Sequence, residues 1–131
     1  MPMFNQKFHT ADINLYASKT EETAIYPGAD GREDEIVVPS DLAAILYCTL
    51  GLVGEAGEIA NKVKKILRDD DFEISDEKRQ AILAEVGDVG WYFVQLILRL
   101  GGNPGEVISA NYNKLLDRKN RDVLTGSGDE R

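Results

Sequence analysis

Apolar residues recur at intervals of three and four through most of this chain, and few segments alternate with the period of two that a half-buried strand requires. That periodicity restricts the fold to packed helices. The expectation is all-α: an antiparallel bundle of about four helices in a single domain spanning 1–131, a length that buries one core and falls short of splitting into two.

Punctuation residues divide the pattern. A first helix is predicted over about Ala11–Glu22, with Ile13, Leu15 and Tyr16 among its buried residues, and Pro27 follows it. The stretch PGADGREDEIVVP, 27–39, is dense in Gly, Pro and charge and reads as a loop, with a short extended piece at Ile36–Val38. Ser40 is placed as the N-cap of a second helix from about Asp41 to Leu67, which stops at the acidic run Asp69, Asp70 and Asp71. Ser75, followed by Asp76 and Glu77, starts a third helix as the macrodipole favours, and Gly101 closes it. In GNPGE, Asn103 caps a fourth helix, Pro104 takes its first position, and Glu106 stands where a capping-box acid belongs. This helix continues to about Asp122, and 123–131 reads as a flexible tail.

Charge narrows the partners. With 23 acidic and 15 basic side chains the formal charge is −8, which repels a phosphate backbone, so nucleic acid is not expected as a partner. Cys48 has no second cysteine to pair with and reads as a buried thiol, while His9 reads as a surface residue near the N-terminus. The most apolar run, Val89–Leu98, is far shorter than the roughly 20 residues that cross a bilayer, and MPMFNQKFHT lacks a signal-peptide pattern. A soluble, cytoplasmic protein without a membrane partner is expected.

Within the second helix Glu55 and Glu58 lie three apart, and within the third Glu85 and Asp88 repeat that spacing, so each pair projects from one face. Counting from the predicted turn puts both pairs roughly 14 Å away at about 1.5 Å per residue, level across an antiparallel hairpin. Four facing carboxylates repel unless a positive charge sits among them. The donors are all oxygen and the Glu-x-x-His of di-iron bundles is absent, which favours Mg²⁺, with Mn²⁺ as a substitute.

Gly51, Gly54 and Gly57 each weaken a helix by about 1 kcal/mol relative to alanine. Together with Gly87 and Gly90 they are expected to clear bulk beside the acids and let the backbones approach closely. The acidic stripe continues to Lys62 and Lys65 on one helix and to Tyr92 and Gln95 on the other, and Asn111, Lys114 and Arg118 form a polar stripe on the fourth helix. A cation site with converging Lys and Arg suits a polyphosphate. The third helix is apolar nearly all round, which in so small a chain points to a homo-oligomer, dimer or tetramer.

The segments GLVGEAGEIANKVKKILRDD, ILAEVGDVGWYFVQL and ANYNKLLDRKNR, with TAIYP and the ending GSGDER, resemble the MazG-like nucleotide pyrophosphohydrolases, particularly small single-domain members of the sort found in phages. The resemblance covers most of the chain from about Tyr16 onward, and the hallmark of two Glu three apart followed by Glu-x-x-Asp is met by Glu55, Glu58, Glu85 and Asp88. Where many members carry two glutamates in a row, this chain has Gly54 and Glu55. The resemblance implies an oligomeric, Mg²⁺-dependent enzyme that cleaves nucleoside triphosphates between the α and β phosphates to a monophosphate and pyrophosphate. It assigns the four acids to the metal, Glu55 or Glu58 to proton transfer, Lys62, Lys65, Lys114 and Arg118 to the phosphates with Asn111 in the same motif, and Tyr92 to the border of the nucleoside. Two alternatives stand beside it: the same chemistry on phosphoribosyl-ATP or a guanosine polyphosphate, and a non-catalytic helical module that binds a metal or a protein through its acids.

Overall fold

A computed structural model describes residues 11–29 and 40–128. Among these residues the backbone forms four α-helices and no strand: α1 (Ile13–Thr20), α2 (Ser40–Asp69), α3 (Asp76–Arg99) and α4 (Pro104–Asn120), with a 3₁₀ turn at Glu21–Thr23 after α1. The all-α, four-helix expectation is met. The expected extended piece at Ile36–Val38, His9 and the last three residues of the tail lie outside the described residues.

Local chemistry sets the helix ends. Asp12 caps α1 by accepting the Asn14 N–H at 2.9 Å, Ser75 caps α3 by accepting the Lys78 N–H at 3.3 Å, and Asn103 caps α4 by accepting the Glu106 N–H at 3.0 Å. At the end of α3, Gly101 N–H donates to Leu98 O (3.0 Å) and Gly102 N–H to Ile97 O (2.9 Å), with Gly101 at φ 76°. This is a Schellman stop, in which the left-handed residue favours glycine. The end of α4 repeats the pattern with Asp122 at φ 58° in the glycine's place: its N–H donates to Lys119 O and that of Val123 to Arg118 O.

Several boundaries differ from the sequence reading by one or two residues: α1 is shorter at both ends, α2 runs to Asp69 rather than Leu67, and α4 ends at Asn120 rather than Asp122. Ser40, expected as the N-cap of α2, is itself helical. In α1 the buried residues are Ala17 and Thr20, whereas Leu15 is exposed and Ile13 and Tyr16 are half-buried. This short helix lies against α3 and α4, which cover one narrow face only.

The antiparallel α2–α3 hairpin is the backbone of the fold. Along α2, the less exposed positions 44, 48, 51, 55, 59, 62 and 66 are spaced alternately by about four and three, and along α3 the same holds for 82, 85, 89, 92 and 96. The seam is coiled-coil-like. At its open end Ala24, Tyr26, Ala44 and Cys48 form a buried cluster with Trp91, Tyr92 and Leu96 packed on it. Cys48 is fully buried, as expected of an unpaired thiol.

Gln95, expected on the same polar stripe as Asp88, is instead fully buried. Its amide accepts from the Tyr26 hydroxyl and donates to Thr20 Oγ1 at 2.7 Å and to Glu21 Oε1 at 2.9 Å. Arg99 adds an ion pair to Glu21, and Trp91 Nε1 donates to Thr23 Oγ1 at 2.8 Å. These bonds strap the segment after α1 across α3. A buried amide is tolerated because its partners satisfy it.

Much apolar surface is left uncovered in the single chain: Leu50 is 71% exposed, Val53 66% and Leu100 63%. Both α2 and α3 contain an 18-residue window with mean hydropathy 1.4, long and apolar enough by length and composition to cross a membrane. Apolar residues in both helices extend well beyond Val89–Leu98, so the windows are longer than that run. Glu55 and Glu58 interrupt α2, and Glu85 and Asp88 interrupt α3.

Candidate metal centre

Glu55 and Glu85 occupy seam positions where the hairpin elsewhere places Cys48, Ile59, Ile82 and Val89. A carboxylate there is costly without compensation. Asp88, one turn beyond Glu85, joins them: Glu55, Glu85 and Asp88 each offer an oxygen within 4.8 Å of the other two. Level placement across the hairpin, expected from counting residues back from the turn, therefore holds for these three. Glu58 is not in the group and is exposed.

The cluster perturbs itself. Partial desolvation, then the charges of Asp88, Glu85 and Glu58 and a hydrogen bond with Glu85, push the Glu55 carboxyl above the usual glutamate range. Some of the charge is already met within the chain, because Lys62 Nζ lies 3.3 Å from Glu85 Oε1. One lysine against three acids leaves the group net negative. The three carboxylates suit a hard divalent cation, since all donors are oxygen.

One turn toward the open end, the Tyr92 ring lies against Gly51, where a Cβ would fall 2.2 Å from a ring carbon. Gly51 thus clears space, as expected. Gly54, Gly57, Gly87 and Gly90 do not: a Cβ at any of them would meet nothing within 4 Å, so the expected close approach of the α2 and α3 backbones is not present at those sites. They face outward, because the seam passes through 51, 55 and 59 instead.

Tyr92 belongs to an aromatic group that reaches the acids. Tyr47 stacks on Tyr26 at 4.7 Å and 8°, and lies 6.2 Å from Tyr92, which meets Trp91 edge-on at 5.1 Å. Burial first, then Tyr47 and the charge of Glu55, push the Tyr92 hydroxyl up to about 12. Tyr47 was missed in the sequence reading. Its position four residues before Gly51 and eight before Glu55 would have placed it on the same face of α2.

Toward the turn, Lys62, Lys65 and Lys78 line a groove of about 300 Å³ with Ile66, Asp69, Ala81 and Ile82. The structure thus brings Lys62 and Lys65 to the acids' side of the hairpin and adds Lys78. The polar stripe of α4 is different. Arg118 is buried, whereas Asn111 and Lys114 are exposed, and no hydrogen bond or ion pair among the described residues joins those two to the acids. Helix α4 packs on α1 and α3.

No protein-family model and no solved structure matches the chain. Over 119 residues, 91% of this chain and 98% of the relative, it is 50% identical to the Gene 37 protein of Mycobacterium phage L5. Identity at that level across almost the whole of both proteins means that the chain belongs to the family of that phage protein.

Proposed function

We propose that the protein is a MazG-like, Mg²⁺-dependent nucleoside triphosphate pyrophosphohydrolase, with Mn²⁺ able to replace Mg²⁺. The observation that carries this reading is the placement of Glu55 and Glu85 at facing seam positions, with Asp88 within 4.8 Å of both. Such positions normally hold apolar side chains. A divalent cation held there supplies positive charge for the phosphates and makes nearby water a stronger acid.

The chain's own residues divide the remaining work. Glu55, Glu85 and Asp88 hold the cation, which leaves Glu58, one turn further and outside the group, to accept the proton of the attacking water. The water oxygen bonds to the α phosphorus, the bond from that phosphorus to the bridging oxygen breaks, and its electron pair leaves with pyrophosphate. Tyr92 borders the nucleoside, and Lys62 and Lys65 face the phosphates from the groove side. Asn111, Lys114 and Arg118 lie on α4, which packs on α1 and α3, and complete the phosphate-binding set that the resemblance implies.

The same geometry supports a homo-oligomer, dimer or tetramer. Leu50 and Val53 on α2, and Val86 on α3, are exposed beside glycines that face open space. Exposed apolar surface of this extent marks an interface. Acids at the middle of both long apolar helices argue against a lipid environment, so the reading places the protein in the cytoplasm, among its nucleotide substrates.

The test is incubation of the purified protein with each common nucleotide and Mg²⁺, with products resolved by chromatography. Monophosphate plus pyrophosphate is expected, and Glu85→Gln abolishes it. Diphosphate plus orthophosphate, or turnover indifferent to Glu85, overturns the reading.

A further inference from the structure

Gln95 is the most deeply buried polar side chain among the described residues, and no step of the proposed reaction uses it. It follows Asp88 by seven residues, two helical turns or about 10 Å along α3, so its amide lies outside the acidic cluster. Val94 and Ile97 beside it are buried and apolar. An amide in such a place is costly unless its bonds hold something that an aliphatic side chain would not. All of its bonding capacity is directed at one segment: Oε1 accepts from the Tyr26 hydroxyl, and Nε2 donates to Thr20 Oγ1 and Glu21 Oε1.

The hydroxyl of Tyr26 carries the consequence. Burial first, then Cys48, push that hydroxyl above its usual range, so it keeps its proton and donates it to Gln95. The Tyr26 ring, itself buried, meets Trp91 edge-on at 5.9 Å and 76°, and Tyr47 stacks on it at 4.7 Å. One bond at its tip and a ring on either side leave Tyr26 a single orientation. Tyr47 takes its own orientation from that stack. One of its faces is covered by Tyr26, yet the residue is still 43% exposed, so the rest of its surface is open to a ligand. Next along is Tyr92, 6.2 Å from Tyr47 and seated on Gly51, one turn from Glu55. Contacts therefore run unbroken from Gln95 through Tyr26 and Tyr47 to the ring beside the acids.

The geometry points to Gln95 as a positioning residue for the nucleoside: acting through the Tyr26 hydroxyl, it holds Tyr47 as the aromatic wall against which base and sugar rest. It touches neither substrate nor cation. Its effect falls on affinity for the nucleoside half of the ligand and leaves phosphate and metal binding alone. This assignment rests on the pyrophosphohydrolase reading, which supplies the nucleotide.

Calorimetric titration of the full chain with the α,β-methylene analogues of the common nucleoside triphosphates, in the presence of Mg²⁺, measures that affinity without turnover. Tyr26→Phe keeps the ring and removes one oxygen, and is expected to weaken analogue binding about fivefold, the size of one aromatic contact. Gln95→Leu should match it. The double variant should bind no more weakly than either, because both substitutions break the same bond. Inorganic tripolyphosphate, which has neither base nor sugar, should bind the wild type and every variant alike, and in turnover KM should rise with kcat unchanged. A lowered melting temperature with analogue affinity intact makes Gln95 a structural residue and overturns the assignment. So does a parallel loss of tripolyphosphate affinity, an additive double variant, or a wild type that binds no analogue. Where nucleotides are hydrolysed in any of those cases, the enzyme reading survives alone. Analogue binding that depends on both residues, in a protein that hydrolyses no nucleotide, keeps the positioning role and removes the enzyme reading instead.

Discussion

The ring of Tyr92 rests on the bare backbone of Gly51, with space for a hydrogen and none for a methyl group. Gly51→Ala gains about 1 kcal/mol of helix propensity but forces the ring, and with it Tyr47 and Trp91, out of place. A net loss of about 1 to 2 kcal/mol is expected from the overpacking, seen as a lower midpoint in chemical denaturation. Gly54→Ala, with nothing within 4 Å, should not show that loss in the isolated chain.

Removing a carboxylate from the cluster separates stability from activity. In the absence of metal, Glu55→Gln relieves the repulsion that Asp88, Glu85 and Glu58 exert on Glu55, so the melting temperature of the metal-free protein should hold or rise. Saturating Mg²⁺ should stabilise the wild type by about 2 to 3 kcal/mol at a hundredfold excess over its dissociation constant. The variant should lose that gain and more than about 10-fold in kcat, since even indirect partners of a metal site cost roughly 10- to 100-fold when removed. Differential scanning calorimetry with and without Mg²⁺ reads the first effect and steady-state kinetics the second.

The strap across α3 predicts a pH dependence. Although burial opposes it, hydrogen bonds from Arg99 and Gln95 and the Arg99 charge hold the Glu21 carboxyl below the usual range. A depressed acid stabilises the fold above its unfolded pKa and loses that contribution as pH falls through the lower folded value. Glu21→Gln should therefore cost about 1 kcal/mol at pH 7, a figure limited by the partial exposure of the pair. The difference from wild type should shrink to nothing at pH values well below 4.5, as followed by urea denaturation across pH.

Leu50 and Val53 test the proposed assembly. A charge on either side chain, as in Leu50→Asp or Val53→Asp, costs little in a lone chain because both residues already face water. If another copy covers them, burying the carboxylate costs several kcal/mol. Sedimentation should then show the variants as monomers with helicity intact, where the wild type sediments as a dimer or tetramer.

Much of this architecture was legible in the residues themselves because the signals were local. Ser75, Asn103 and Gly101 act through their own backbone neighbours, so they cap and stop the helices where expected. Glu55, Glu85 and Asp88 could be aligned by counting because the hairpin turn fixed both arms. What failed depended on more than spacing. Glu58 shares the face of Glu55 yet lies outside the group, and Gln95, two turns on from Asp88, is buried because the segment after α1 lies across it. Four of the five glycines face outward, because the seam runs through 51, 55 and 59. The groove cation Lys78 was invisible for another reason: it belongs to no spacing pattern and enters only through the three-dimensional turn.

Trp91 is the chain's one tryptophan, and it is held edge-on to Tyr92 with its indole N–H fixed by Thr23. Its emission therefore comes from a single environment one turn from the acids, bordered by the ring nearest the expected ligand. The molecule carries an internal fluorophore at its own working surface. Titrations of cation and nucleotide can be followed optically, on unlabelled and unmodified material.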